Sequence, residues 1–154
     1  MNIYDAIRDD HDRMRGLLRE LKKAVEDGGD APGRLFDELK RQLRSHEAAE
    51  ETAFYEPLKR ADETRREVLE GLTEHQLIDT LGKELEVTPT DSESWAAKLQ
   101  VLGELLEHHM KEEEDELFGE ARKVLDDQEA ARLGEAWLRR KRDALDAVAP
   151  VKGR

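Results

Sequence analysis

Two short stretches repeat one arrangement of residues that could do chemistry. His46 to Tyr55 reads HEAAEETAFY and His109 to Phe118 reads HMKEEEDELF: a histidine, three residues, two glutamates, two residues, then a bulky apolar pair. On a helix, side chains four apart lie on one face, so His46 with Glu50, and His109 with Glu113, set an imidazole beside a carboxylate. Such a pair can grip one metal ion, or two neighbouring ions, from one side. Glutamate is so common in this chain that a single pair means little; repetition with the same apolar tail means more. His108 also has a glutamate four residues on, Glu112, but the apolar register through Leu102 and Leu106 favours His109 as the inward residue.

The elements that must position these groups read as helices. From Ile3 to about Asp27 the series Ile7, His11, Met14, Leu18, Leu21, Val25 steps by four and three, the seam of a bundle helix with His11 as its polar member. DGGDAPG then marks a turn. A second helix, from about Gly33 to Ala61, turns Leu39, Leu43, His46, Glu50 and Ala53 inward, and Pro57 loosens its last turn. The third, from about Glu63 to Glu86, offers Val68, Leu72, His75, Ile78, Gly82 and Leu85, with Asp79 one turn beyond His75. VTPTDSES supplies a linker and an Asp or Ser cap for the fourth, whose inward side is Leu99, Leu102, Leu106, His109 and Glu113 and which runs to about Leu125. A last helix, from about Asp127 to Val148, carries Leu133, Trp137, Leu138, Leu145 and a basic run from Arg139 to Arg142. The expected architecture is all-α: an up-down-up-down four-helix bundle over residues 1–126, with a C-terminal helix and tail, 127–154, packed on the bundle or in an interface with a second copy.

Composition agrees with that class and excludes others. At 154 residues the chain is the size of one domain, and 42% charged against 37% hydrophobic residues suits long amphipathic helices. A net charge of -12 argues against nucleic acid as a partner, since a phosphate backbone rewards excess Lys and Arg. The absence of cysteine removes disulfides, thiolate metal sites and cysteine nucleophiles. With no apolar leader and no stretch of membrane-spanning length, a cytoplasmic protein without membrane contact is expected.

Height along the bundle decides whether the polar intruders can meet. Antiparallel helices joined by short turns bring to one level residues equally far from the shared turn, at about 1.5 Å per residue. His11 and Glu50 match across the first turn, and Glu50 and His75 across the second; His75 and His109 differ by roughly 7 Å across the third, which an overhanging first turn at Trp95 would absorb. Four imidazoles and two carboxylates buried at one level are costly unless something satisfies them. Transition-metal ions would satisfy all six, and nitrogen and oxygen donors without sulfur suit iron or manganese, less specifically zinc. Glu50 and Glu113, from opposite helices, can bridge two ions, with His11 and His46 completing one and His75 and His109 the other. A reduced iron pair with open positions can bind or reduce O2, peroxide or nitric oxide.

One histidine, HxxxE, one histidine, HxxxE on successive helices resembles the hemerythrin-like, or HHE cation-binding, domain family in its bacterial type. The resemblance covers residues 3 to about 125, through DDHDRM, HEAAEETAFYEP, EHQLID and HHMKEEEDELF. It implies His11, His46, Glu50, His75, His109 and Glu113 as ligands of two non-haem irons, with Glu50 and Glu113 as bridges. Oxygen-carrying members have a second histidine where this chain has Asp79, and a final Asp five residues after the fourth-helix histidine where this chain has Glu113 four after it. The implied function is therefore a non-haem di-iron protein that binds or reacts with O2, peroxide or nitric oxide. The alternatives are a metal-dependent sensor or iron-handling module without turnover, and a bundle whose histidines merely hydrogen-bond. The remaining acids Glu47, Glu51, Glu112 and Glu114 read as solvated helix faces, and Tyr55 as core packing within reach of the metals.

Overall fold

A computed structural model describes residues 1–147. All regular structure among them is helical, and neighbouring rods alternate in direction. The first rod is α1 (Ile3–Asp27); the second is α2 (Ala31–Ala49), a π-helical turn (Glu50–Tyr55) and α3 (Glu56–Lys59); the third is α4 (Arg65–Glu86). The fourth is α5 (Glu93–Glu112), a second π-helical turn (Glu113–Leu117) and α6 (Phe118–Val124), and the fifth is α7 (Asp127–Ala147). Residue 148, to which the last helix was expected to run, and the tail after it lie outside the described residues.

Local chemistry sets the ends of the rods. Asn2 accepts a hydrogen bond from the Asp5 backbone N–H (2.9 Å) at the start of α1, and Ser92 does the same for Trp95 (3.1 Å) at the start of α5. Gly28, at φ 76° and ψ -169°, takes a positive-φ conformation open essentially to glycine alone where α1 ends, and its N–H donates to the Ala24 carbonyl.

Two apolar clusters and a polar layer between them give the alternation its meaning. One cluster gathers Ile3, Ile7, Phe54, Leu58, Val68, Leu117, Phe118 and Trp137; the other gathers Met14, Leu21, Leu39, Leu43, Ile78, Trp95, Leu102 and Leu106. Along α1 the chain passes from the first cluster through His11 to the second; along the second rod it returns from Leu43 through His46 and Glu50 to Phe54. The third rod crosses again at His75 and the fourth returns past His109 and Glu113. The expected height mismatch between His75 and His109 is absent, since their Nε2 atoms lie 3.2 Å apart. The Trp95 indole donates to the Leu85 carbonyl (3.1 Å) and ties the first turn of α5 to the last turn of α4.

The second helix differs from its expected form. Its backbone widens into a π-helical turn that begins at Glu50, ahead of Pro57, which sits in the first turn of α3. The fourth rod does the same at Glu113. Ala53, Phe54 and Tyr55, within the wider turn, are all buried. The Thr52 hydroxyl donates to the Ala48 carbonyl (2.8 Å), serving a backbone acceptor beside the widened turn.

The fifth rod lies against α1 and α2. Its buried side is Ala130, Gly134, Trp137 and Lys141, whereas Leu138 is exposed and Leu133 half-buried. The closest approach is at Gly134: a Cβ there would fall 2.4 Å from the Met1 carbonyl oxygen and 2.7 Å from the Asn2 carbonyl carbon.

Candidate metal centre

The structure brings His11, His46, Glu50, His75, His109 and Glu113 together at the middle of the four-rod bundle, all buried. Glu50 lies between three histidines, with Oε2 3.3 Å from His46 Nε2 and Oε1 3.1 Å from His75 Nε2 and 3.6 Å from His109 Nε2. Glu113 is split the same way: Oε1 is 3.2 Å from His11 Nε2 and Oε2 is 3.5 Å from His109 Nε2. Each carboxylate thus presents one oxygen to the His11 and His46 side and the other to the His75 and His109 side. His108 points away, 62% exposed, with its ring against Glu112 (2.7 Å).

Every inward ring is held from behind. The Nδ1 atoms of His11, His46, His75 and His109 lie 2.6 to 2.7 Å from carboxylate oxygens of Glu114, Asp10, Glu51 and Glu74 respectively. A carboxylate on Nδ1 fixes the proton there, leaving the Nε2 lone pair to face the centre, the usual support of a metal-bound histidine. Glu51 and Glu114 therefore are not simply solvated acids; Glu114 is further gripped by Arg15 (3.1 and 3.2 Å), and His11 with Arg15 holds its carboxyl down at about 2 against the effect of burial. Each of the four anchors is the sequence neighbour of an inner residue: Asp10 beside His11, Glu51 beside Glu50, Glu74 beside His75, Glu114 beside Glu113. One step along a helix turns a side chain by about 100°, from the bundle axis to the flank, where the outer nitrogen of the next rod's ring lies. That pattern is the signal in the sequence that could have found them.

Lys141 is the other residue the sequence reading passed over. It reaches from α7 to Asp10 with Nζ 2.8 and 2.6 Å from the two carboxylate oxygens, and Arg13 approaches the same group at 2.5 Å. Burial would raise Asp10, but His46 and Lys141 outweigh it and hold the carboxyl well below its ordinary range. Trp137, one turn earlier, stands edge-on to the His46 ring at 5.7 Å. The fifth helix thus supports the centre through the sequence Lys141, Asp10, His46.

In the absence of an ion the six groups form an uneasy cluster. Burial would depress His46 and His75, but Glu50 with Asp10 raises the first to about 9, and Glu50 with Glu51 raises the second to about 10. His109 is likewise raised, chiefly by Glu113 against burial, and Glu50 is driven well down by His46, His109 and His75 although burial opposes it. Four inner atoms still have no hydrogen-bond partner: His11 Nε2, His46 Nε2, Glu50 Oε2 and Glu113 Oε1. Buried polar atoms are seldom left so, and these four fall in one group, with His11, His46, Glu50 and Glu113 offering donor atoms within 4.8 Å of one another; Glu50, His75 and His109 make a second such group sharing Glu50. The donor chemistry and the orphaned atoms together fit bound cations.

Tyr55 completes the inner wall. Its hydroxyl donates to Glu113 Oε2 and lies 3.5 Å from His109 Nε2, and its ring stacks on His75. Gly71 makes room for it, since a Cβ there would sit 2.5 Å from the hydroxyl oxygen. Asp79, one turn beyond His75, belongs to neither donor group; it is exposed beside a groove lined by Leu39, Leu43 and Ile78. Its neighbour is Glu47, a buried acid raised to about 9 first by burial and then by Asp79.

A bundle with an imidazole and carboxylate layer at mid-height defines a class of cation-holding helical proteins. The sequence profile of the hemerythrin HHE cation-binding domain matches residues 2–121, and the chain belongs to that family. The fold is similar to a crystal structure of a hemerythrin HHE cation-binding-domain protein from Mycobacterium kansasii, at 24% identity and a TM-score of 0.86 over 100% of this chain and 95% of that one. A comparison with curated proteins returns no match. No helix among the described residues is long and apolar enough to cross a membrane.

Proposed function

We propose that this protein holds two non-haem iron ions and binds or reacts with a small oxidant, O2, peroxide or nitric oxide. His11 and His46 with one oxygen each of Glu50 and Glu113 would hold one ion; His75 and His109 with the other two oxygens would hold its neighbour. Tyr55, already on Glu113, borders the second position. The observation that carries the reading is the pairing at every inner histidine: Nδ1 on a carboxylate, Nε2 toward the shared glutamates. Nitrogen and oxygen donors without sulfur favour iron or manganese over softer ions. When bound, an iron pair supplies the electrons and open positions for small-ligand chemistry; the chain's own groups orient the donors, and its apolar clusters bar bulk water from both ends of the layer. Anaerobically reconstituted protein should retain two irons per chain after gel filtration and develop near-ultraviolet absorption on exposure to air. Retention of one iron or fewer would exclude the paired centre.

A second reading, a metal-dependent sensor without turnover, is favoured by one observation: α7 contacts the centre through Lys141 and Asp10. Occupancy of the His46 position would then stiffen the docking of α7. Limited proteolysis checks this, since cleavage within α7 should be much faster in metal-stripped protein than in loaded protein, and equal rates would rule the reading out.

A further inference from the structure

We propose that the open groove between α2 and α4 is a binding site for a free amphipathic carboxylate of medium chain length, with its charged head on Lys83 and its tail on the groove floor. The site is separate from the metal ligands, and the inference stands whether or not ions fill the layer.

The groove holds about 340 Å³, within the range of about 300–1,000 Å³ typical of small-molecule sites. Its floor is Phe36, Leu39 and Leu43 of α2, Ile78 of α4 and, across the bundle, Leu102 of α5. From Phe36 to Leu43 the floor runs about 10 Å at the rise of an α-helix, the span of an extended chain of roughly eight to ten carbons. A hydrocarbon tail laid on it leaves water for apolar contact. Gly82 keeps the space open, since a Cβ there would meet no atom within 4 Å.

The lips give the head its sign. The protein carries a net charge of -12, yet the charged side chains around this groove are mostly cations: Lys40 and Arg44 on the α2 lip and Lys83 on the α4 lip, against Asp79 and Glu86. Lys40 and Arg44 converge on one oxygen of Glu86, at 3.0 and 2.9 Å, and Lys40 has a longer contact with Asp37 at 3.7 Å. The Lys83 ammonium has no ion pair among the described residues. A carboxylate on Lys83 therefore meets an unpaired charge and faces two more cations across the groove, a match of sign that favours an anion over a neutral lipid. Asp79, one turn nearer the centre on the same lip, repels a carboxylate from that end, which leaves the head with Lys83 and the tail against the floor below. The groove between α1 and α5, about 230 Å³, is apolar too, but its charged residues are one lysine and one glutamate, Lys22 and Glu26, and favour neither sign.

The test is calorimetric titration of decanoate, below its micelle concentration, into the full-length protein. Wild-type protein should bind one decanoate per chain, and more weakly as salt is added. Gly82→Phe, which fills the groove from a position with free space around it, should abolish binding while helix content is kept. Lys83→Glu leaves the floor intact and reverses the head contact. It should weaken decanoate about tenfold, the loss expected for one charge-assisted contact, and leave decanol, which has the same tail without the charge, unchanged. Equal decanoate affinity in the wild type and both variants would overturn the site, as would equal affinity of the wild type for decanoate and decanol. Should Gly82→Phe fail to fold, the Lys83→Glu and decanol comparisons decide alone. Absence of binding at about 1 mM decanoate would also overturn the proposal; a dimer in sedimentation that Gly82→Phe dissociates would then assign the groove to a second copy of the chain.

Discussion

Lys141 shows at the scale of one residue how far the centre extends beyond the groups that face it. A lysine is rarely buried unless paired, and this one is buried against Asp10, whose Oδ2 it shares with His46 Nδ1. Removing one partner of a buried ion pair costs about 3–5 kcal/mol, because the remaining charge is left uncompensated. Asp10 keeps Arg13 and His46, so Lys141→Met should fall at the lower end, about 3 kcal/mol by urea unfolding of metal-free protein with an unchanged slope. A loss of supporting contacts behind a ligand also weakens metal binding, typically about 10–100-fold, which chelator competition would measure. A cost below about 1 kcal/mol would mean that Lys141 reaches Asp10 without contributing to its charge balance. The inner residues were readable because an intruding histidine or glutamate breaks an apolar series at a fixed step. Lys141 and the anchoring acids were not, because in a chain this rich in charge an acid on a helix flank has the same periodicity whether it meets solvent or an imidazole.

The two π-helical turns are the feature of the elements that residue spacing could not reveal. Counting by fours and threes placed His46, Glu50, His109 and Glu113 correctly on their faces because all four precede or begin the widened turns. After them the phase shifts by about one residue, with no composition to mark it, and the burial of Tyr55 follows from that shift. The docked face of the fifth helix was not legible for a different reason: beside Trp137 and Lys141 the seam is made of Ala130 and Gly134, small residues that permit close approach and leave no strong apolar period. Gly134→Ala tests that seam, since its Cβ would meet the backbone of Met1 and Asn2 and not a flexible side chain. The N-terminal segment must then shift or α7 must lift, at a cost of about 1–3 kcal/mol. Hydrogen exchange should show the loss concentrated in α7 and the start of α1; an unchanged denaturation midpoint would show that the N-terminal residues yield freely.

Across the whole molecule the bare centre and the filled one should respond oppositely to pH. His46, His75 and His109 have their folded values raised, the first two to about 9 and about 10, so the stability they contribute is complete below their unfolded value of about 6.5 and is lost as pH climbs through the folded values. Asp10, Glu50 and Glu114 are depressed, so their contribution is present above an unfolded value of about 4 and fades as pH falls below it. Metal-stripped protein should therefore be most stable between about pH 5 and 6.5 and melt progressively earlier toward pH 10. An ion requires the same Nε2 atoms without their protons, so its binding releases protons and strengthens with pH. The gap in melting temperature between loaded and stripped protein should widen steadily from about pH 6 to 9. Melting curves of both forms across that range check the sign directly. A gap that narrows over the same interval would mean that the inner histidines are not where the ions compete with protons, and the layer would then be a hydrogen-bonded core.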